Sequence, residues 1–166
     1  MLILGLDPGL RNTGWGLVYS EGNRLKHVAN GEVHSDAKAD IATRLVQLHD
    51  GLQEVVREYQ PQTAAVEETF SNSNAKSSLM LGLARGVVIL VPALYGIDVA
   101  NYPPNKVKKA VVGAGKADKA QVQLMVQRLL PGVDFGSADA ADALAVAICH
   151  AHLRVTEAKW NSFKKA

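Results

Sequence analysis

Two short apolar stretches of this sequence each end on a carboxylate. LILGLD, residues 2–7, closes on Asp7 directly before Pro8-Gly9, and TAAVE, residues 63–67, closes on Glu67 before Glu68 and a run of Thr, Ser and Asn. Apolar runs of this length bounded by turn residues read as buried strands, so each acid is expected at the core end of a strand. One such acid alone could be structural, accepting the N–H groups of the following turn. A third acidic feature, SADAADAL at residues 137–144, argues otherwise. Asp139 and Asp142 stand i, i+3 and project from the same side of one helix, and Val146, Cys149 and Leu153 continue that stripe. The acids thus extend the side this helix is expected to bury against the sheet. Compensation of the helix dipole behind a Ser137 cap would account for Asp139, at about 0.3–1 kcal/mol, but not for Asp142. Like charges one turn apart on a buried face repel and resist desolvation unless a cation or a proton neutralises them.

Neighbouring parallel strands of an open α/β sheet display their carboxyl ends along one edge, where a crevice forms. Asp7, Glu67, Asp139 and Asp142 are expected to converge there. Oxygen ligands without His or Cys select hard divalent ions, Mg²⁺ or Mn²⁺. Two such ions about 3.5–4 Å apart clamp the attacking and leaving oxygens of a phosphoryl displacement.

The elements that must hold these acids follow from the rest of the chain. Residues 13–20 continue from the first turn as a second strand, and Glu21-Gly22-Asn23 turns into a third over 24–34, an opening β-meander. Ile41, Leu45, Leu48, Leu52, Val55 and Val56 recur at helical spacing over 39–60, ending at Gln60-Pro61. A fifth strand spans 97–102 and stops at Pro103-Pro104, and helices are expected near 105–112, 118–130 and 138–153. The fold class is α/β, a mixed sheet of about five strands with helices on both faces. With 166 residues, 48% of them hydrophobic, one domain over 1–158 is expected, followed by a frayed basic tail at 159–166. The start of the chain lacks a basic leader and no span of about 18 apolar residues is apparent, so the expectation is a cytoplasmic protein without a membrane partner. The single Cys149 excludes an internal disulfide and a Cys-rich zinc site, and its apolar surroundings make it a packed thiol.

A long helix over 75–94 carries apolar residues around much more than one stripe, which predicts burial on two sides. One side covers the sheet; the other requires a second layer of the same chain or a second subunit. The spacing Gly82-x-x-x-Gly86 would admit a neighbouring helix closely, and a symmetric homodimer follows from the second option.

At the acidic residues the sequence resembles the RuvC-type Holliday junction resolvases, members of the RNase H-like nuclease superfamily. The resemblance covers nearly the whole chain: LGLDPGLRNTGWG is similar to the family's first-strand motif and hairpin, AVEETF to its second acidic motif, LGLARGVVI to its central helix, and VVGAGKADKAQVQ with ADAADALAVAICH to its C-terminal half. It implies an RNase H-like fold and a metal site of Asp7, Glu67, Asp139 and Asp142, with two Mg²⁺ per active site and Mn²⁺ as a substitute. Glu67 rather than Glu68 occupies the family position. Some members carry His where this chain has Asp139, which places it in the all-carboxylate branch, and its Ser71–Asn74 loop is more polar than in other members. Four-way junction DNA, a homodimer and a branch-migration complex of RuvA and RuvB type are the partners the resemblance implies.

Charge along the chain agrees with a nucleic-acid partner. Residues 102–120 hold Lys106, Lys108, Lys109, Lys116 and Lys119 against Asp118 alone, although a solvated helix face would look the same. By resemblance, Lys108 and Lys119 fall at basic positions near the scissile phosphate, Lys119 counting among the catalytic residues, and Phe70 falls at an aromatic DNA contact. Arg11, in the hairpin beside Asp7, is a further phosphate contact. The expected reaction is phosphodiester hydrolysis in which one ion activates water, the second stabilises the leaving 3′ oxygen and a lysine offsets charge on the phosphate. Two other classes are weighed on residue chemistry. An actin-like or sugar-kinase-like ATPase also builds a phosphate loop from D-x-G, but needs a second domain of similar size, which the expectation of one domain in 166 residues excludes. A junction-binding module without catalysis would not need all four acids.

Overall fold

The computed structural model describes residues 1–68 and 74–163, with side chains described as far as Arg154. Phe70 and Ser71 to Ser73 lie outside the described residues, as do 164–166. In chain order the elements are β1 (Leu2–Asp7), β2 (Asn12–Glu21), β3 (Arg24–His34), α1 (Ile41–Tyr59), β4 (Thr63–Glu67), α2 (Ala75–Leu94), β5 (Val99–Tyr102), α3 (Pro104–Val112), α4 (Lys119–Leu129) and α5 (Ala138–Phe163). They form one five-stranded sheet in the order β3-β2-β1-β4-β5. β1 is antiparallel to β2 and parallel to β4, and β4 is parallel to β5. This is the mixed α/β sheet expected from the alternation of elements.

Local sequence explains where the elements start and stop. The Asp40 side chain accepts the Thr43 N–H at the start of α1, and the helix ends at Gln60, in the left-handed region at φ 49°, just before Pro61. Pro104 opens α3 and Gly113 closes it at φ 88°. Asp118 and Gln121 form a reciprocal capping box on α4. α5 runs to Phe163 instead of ending near 153, because residues 154–163 contain no Pro or Gly to interrupt it. Residues 159–163, expected as frayed tail, are therefore its last turns.

The pleat sorts the core into two halves. Ile3, Val18, Ala65 and Tyr102 face α3, α4 and α5, whereas Leu4, Leu6, Leu17, Ala64 and Val66 face α1 and α2. Asp7 is in phase with Ile3 and Glu67 with Ala65, so both strand-terminal acids lie on the α5 side. The helix comes unusually close there. A Cβ on Gly5 would sit 2.0 Å from the Ala143 carbonyl oxygen, and one on Gly14 2.1 Å from that of Asp139. Only glycine permits this approach. His150, buried on α5, links Thr63 Oγ1 at 3.0 Å and the Tyr102 hydroxyl at 2.7 Å, tying the helix to β4 and β5. Burial pushes its pKa down to about 4, so the ring is neutral in this network.

Two expectations need correction. The Asp142–Val146–Cys149 line of α5 does not lie on the sheet: Ala143 and Ala147 meet Gly5, while Cys149 Sγ lies 3.9 Å from the Lys106 carbonyl on α3. An Ala-rich helix apolar on all sides carries too little periodic asymmetry to say which side the sheet takes. The second concerns α2, which is long and apolar enough to cross a membrane, contrary to the expectation that no such span exists, although its inner side packs against α1. Ala84, Val88 and Val91 pack inward, while Leu79, Leu83, Leu90 and Leu94 are 59%, 37%, 50% and 63% exposed, so among the described residues no second layer covers the outer side, and of the two coverings expected for it a second subunit is the one left.

Candidate active site

The parallel register of β1 and β4 pairs Leu6 with Val66, which leaves Asp7 and Glu67 at adjacent strand ends. The first turn of α5 begins at the same edge. Its start is set by Ser137, whose hydroxyl accepts the Ala140 N–H at 3.1 Å. Carboxylate oxygens of Asp7, Asp139 and Asp142 there lie within 4.8 Å of one another. Glu67 is not in this three-acid set. It lines an adjoining cleft of about 250 Å³ with Asp142, Lys108, Lys119, Val107 and Val122.

Crowding of these acids has the electrostatic consequence expected of an uncompensated anionic cluster. Burial, then the charges of Glu67, Asp142 and Asp139, push Asp7 up to about 8, and Lys119 opposes the shift. Glu67 is raised by burial and by Asp142, against Lys108 and Lys119. Asp139 is raised by burial and by Glu32, a residue of β3. Lys119 Nζ lies 2.8 Å from Asp142 Oδ2, and this hydrogen bond raises the lysine's own pKa. The donor set is all oxygen, clustered and partly desolvated, and suits a hard divalent cation.

The basic residues divide on inspection of the site. Lys108 and Lys119 flank the cleft, whereas Lys106 sits over the Tyr102 ring at 5.3 Å from its centroid. Arg11 is exposed and lines a separate open groove with Asn12, His34, Ser35 and Lys38. Glu68 donates its backbone N–H to the Tyr102 carbonyl and stands beside the acids without joining them. Cys149 is buried, and desolvation pushes its thiol up to about 11, an inert packed residue. Asn12 and Glu32, both close to Asp139, belong to none of the acidic spacings in the sequence. The alternation of β2 and β3 toward α5 was the signal that held them.

The family model described as crossover junction endodeoxyribonuclease RuvC matches residues 3–150. The chain belongs to the RuvC family. The crossover junction endodeoxyribonuclease RuvC of Paramagnetospirillum magneticum is 60% identical over 159 residues, covering 96% of each chain. That of Rhodospirillum rubrum is 59% identical over 154 residues, covering 93% of this chain and 91% of the relative. Among solved structures, RuvC of Thermus thermophilus in complex with a Holliday junction substrate superposes with a TM-score of 0.87 at 31% identity, covering 95% of this chain and 96% of that one. As a RuvC-family member the chain is an endonuclease with the RNase H-like fold. This sets aside the alternative of a junction-binding module without catalysis and agrees with the exclusion of an ATPase.

Proposed function

We propose that this RuvC-family chain resolves four-way (Holliday) DNA junctions by metal-dependent phosphodiester hydrolysis, in recombination and repair. The observation that carries the reading is the convergence of Asp7, Asp139 and Asp142 within 4.8 Å, beside a cleft bordered by Glu67, Lys108 and Lys119. Asp7, Asp139 and Asp142, with Glu67 at the rim, would hold two Mg²⁺ ions, for which Mn²⁺ could substitute. When bound, such ions supply an activated water and stabilise the leaving oxygen. The chain's own residues prepare the rest. Partial burial keeps bulk water from screening the acids, and Lys119, paired with Asp142, is placed to offset charge on a phosphate entering the cleft. Lys108 borders the same cleft and would hold the phosphate from α3. Arg11 and Phe70 would extend contact along the DNA, Arg11 from its groove outside the cleft and Phe70 by stacking on a base.

A homodimer through α2 accounts for the uncovered leucines, and its symmetry would place two sites on opposed strands of one junction for paired cuts. Family resemblance supports delivery of the junction by a branch-migration complex of RuvA and RuvB type, and action in the cytoplasm. We also assign residues 1–158 to the nuclease domain, with 159–166 as a basic extension.

Asp7→Asn tests the site. It removes a ligand charge without altering the basic border, so junction binding by gel shift should stay within about twofold while single-turnover cleavage in Mg²⁺ falls by at least about 10³, some 4 kcal/mol of barrier. Cleavage at the wild-type rate would remove Asp7 from the site.

A further inference from the structure

Asp139 differs from the other acids in having a polar layer behind it. β2 and β3 pair Asn12 with His34 and Gly14 with Glu32, and Gly14 lies against the Asp139 carbonyl. Asn12, Glu32 and His34 are thus on the face where α5 begins. His34 Nδ1 lies 2.9 Å from Asn12 Oδ1, and His34 Nε2 lies 3.6 Å from Glu32 Oε2. Asn12 stands two residues before Gly14 on the same face of β2, which puts its side chain beside the Asp139 carboxylate, where it opposes the rise in that group's pKa.

The chemistry of these groups permits one orientation. A carboxylate accepts and cannot donate, so the Asn12 group facing Asp139 is the NH₂. The amide oxygen is then left for His34, which must carry a hydrogen on Nδ1 to donate to it. Asn12 is itself anchored, being the first residue of β2. Among the described residues neither Asp7 nor Asp142 has such a support: Asp142 is paired with Lys119, and Asp7 is held by its strand.

We propose that Asn12, its amide oriented by His34, is a positioning residue that fixes the Asp139 carboxylate toward the metal site. The inference rests on the metal-site reading above. Outer hydrogen bonds to a ligating group set its direction before the ion arrives, and their loss typically costs about 10–100-fold in metal affinity or activity. Glu32 lies close enough for its charge to act on Asp139 and adds to the negative field a cation at the site would meet.

The test is Mn²⁺ binding to the full chain without DNA, by isothermal titration calorimetry, alongside the Mg²⁺ midpoint of junction cleavage. Asn12→Ala should weaken Mn²⁺ binding in the absence of DNA by about tenfold and raise the Mg²⁺ midpoint similarly. His34→Ala should give a smaller loss in the same direction. His34→Gln, whose amide N–H can replace the ring donor, should restore binding. His34→Ala should add nothing in an Asn12→Ala background, a non-additivity that general loosening of the fold would not produce. The His34 side chain is 64% exposed, so its variants carry the test if Asn12→Ala does not fold. Wild-type Mn²⁺ affinity in Asn12→Ala, or in His34→Ala where that variant carries the test, overturns the proposal, and additive losses overturn the role of His34. A wild-type chain that binds no Mn²⁺ fails the metal-site reading itself, and the inference falls with it.

Discussion

α2 and α5 are similar as sequences and opposite as structures. Both are long, rich in Ala, Leu and Val, and carry apolar residues around most of their circumference. α5 spends this within the chain: residues 143–149 are almost wholly buried between the sheet and α3 and α4, and its first turn brings two acids to the strand ends. α2 buries Ala84, Val88 and Val91 and leaves four leucines facing outward. Their glycines differ in the same way. Gly5 and Gly14 lie under α5 with no room for a methyl group, whereas a Cβ on Gly82 or Gly86 of α2 would meet nothing within 4 Å. An all-round apolar helix announces that it will be covered, not by what.

The largest expected effect comes from breaking the α5 contact. Gly5→Ala forces a methyl group against backbone that cannot swing aside, and should destabilise the chain by about 3 kcal/mol or more. Thermal melting would show a fall of roughly 10 °C, and activity should drop further than stability, since Asp139 and Asp142 move with the helix. A variant that melts and cuts like wild type would mean that α5 does not need the close approach.

Leu83→Glu addresses the other helix. The side chain is 37% exposed, so monomer stability should change by about 0.5 kcal/mol or less. Light scattering should nevertheless show the mass falling from dimer to monomer, and a supercoiled cruciform plasmid should be nicked singly instead of cut in pairs. An unchanged mass would leave the outward face of α2 without its proposed partner.

The helices should also differ in their response to pH. Asp7, against the end of α5, has its pKa raised from 3.8 to about 8 on folding. Between these values the folded chain binds more protons than the unfolded one, so metal-free stability falls as pH rises from about 4 toward 8. Each kcal/mol relieved corresponds to about 2–4 °C. Asp7→Asn should therefore melt higher than wild type at pH 7.5 without metal, Mg²⁺ should close the gap, and Leu83→Glu should leave the slope unaltered. A flat pH profile of the metal-free wild type would contradict the desolvated cluster.

The smallest effect is the most discriminating for α2. In a free helix Gly82→Ala should stabilise by about 1 kcal/mol through helix propensity. If a partner helix packs at Gly82, the same methyl group should instead weaken the dimer. Melting at two protein concentrations separates these outcomes, because only the second depends on concentration.

Much of the site was legible because it rests on local pattern. Asp7 and Glu67 could be placed at strand ends because an apolar run followed by turn residues has few other readings, and the i, i+3 spacing of Asp139 and Asp142 dictates a shared side of a helix. The order of elements narrowed the sheet to a mixed α/β arrangement. Everything that depended on which surface meets which was decided by tertiary structure. The glycines of β1 and β2, not the periodicity of α5, choose the line of that helix that lies on the sheet, and this turns Asp142 toward Lys119 and α3. The same geometry leaves Glu67 at the rim of the three-acid set and brings Asn12, His34 and Glu32 behind Asp139. His150 became a buried tie between α5 and two strands for the same reason. One-dimensional spacing records the angle at which a side chain leaves its own element; the neighbour it meets is set by close packing between elements far apart in the chain.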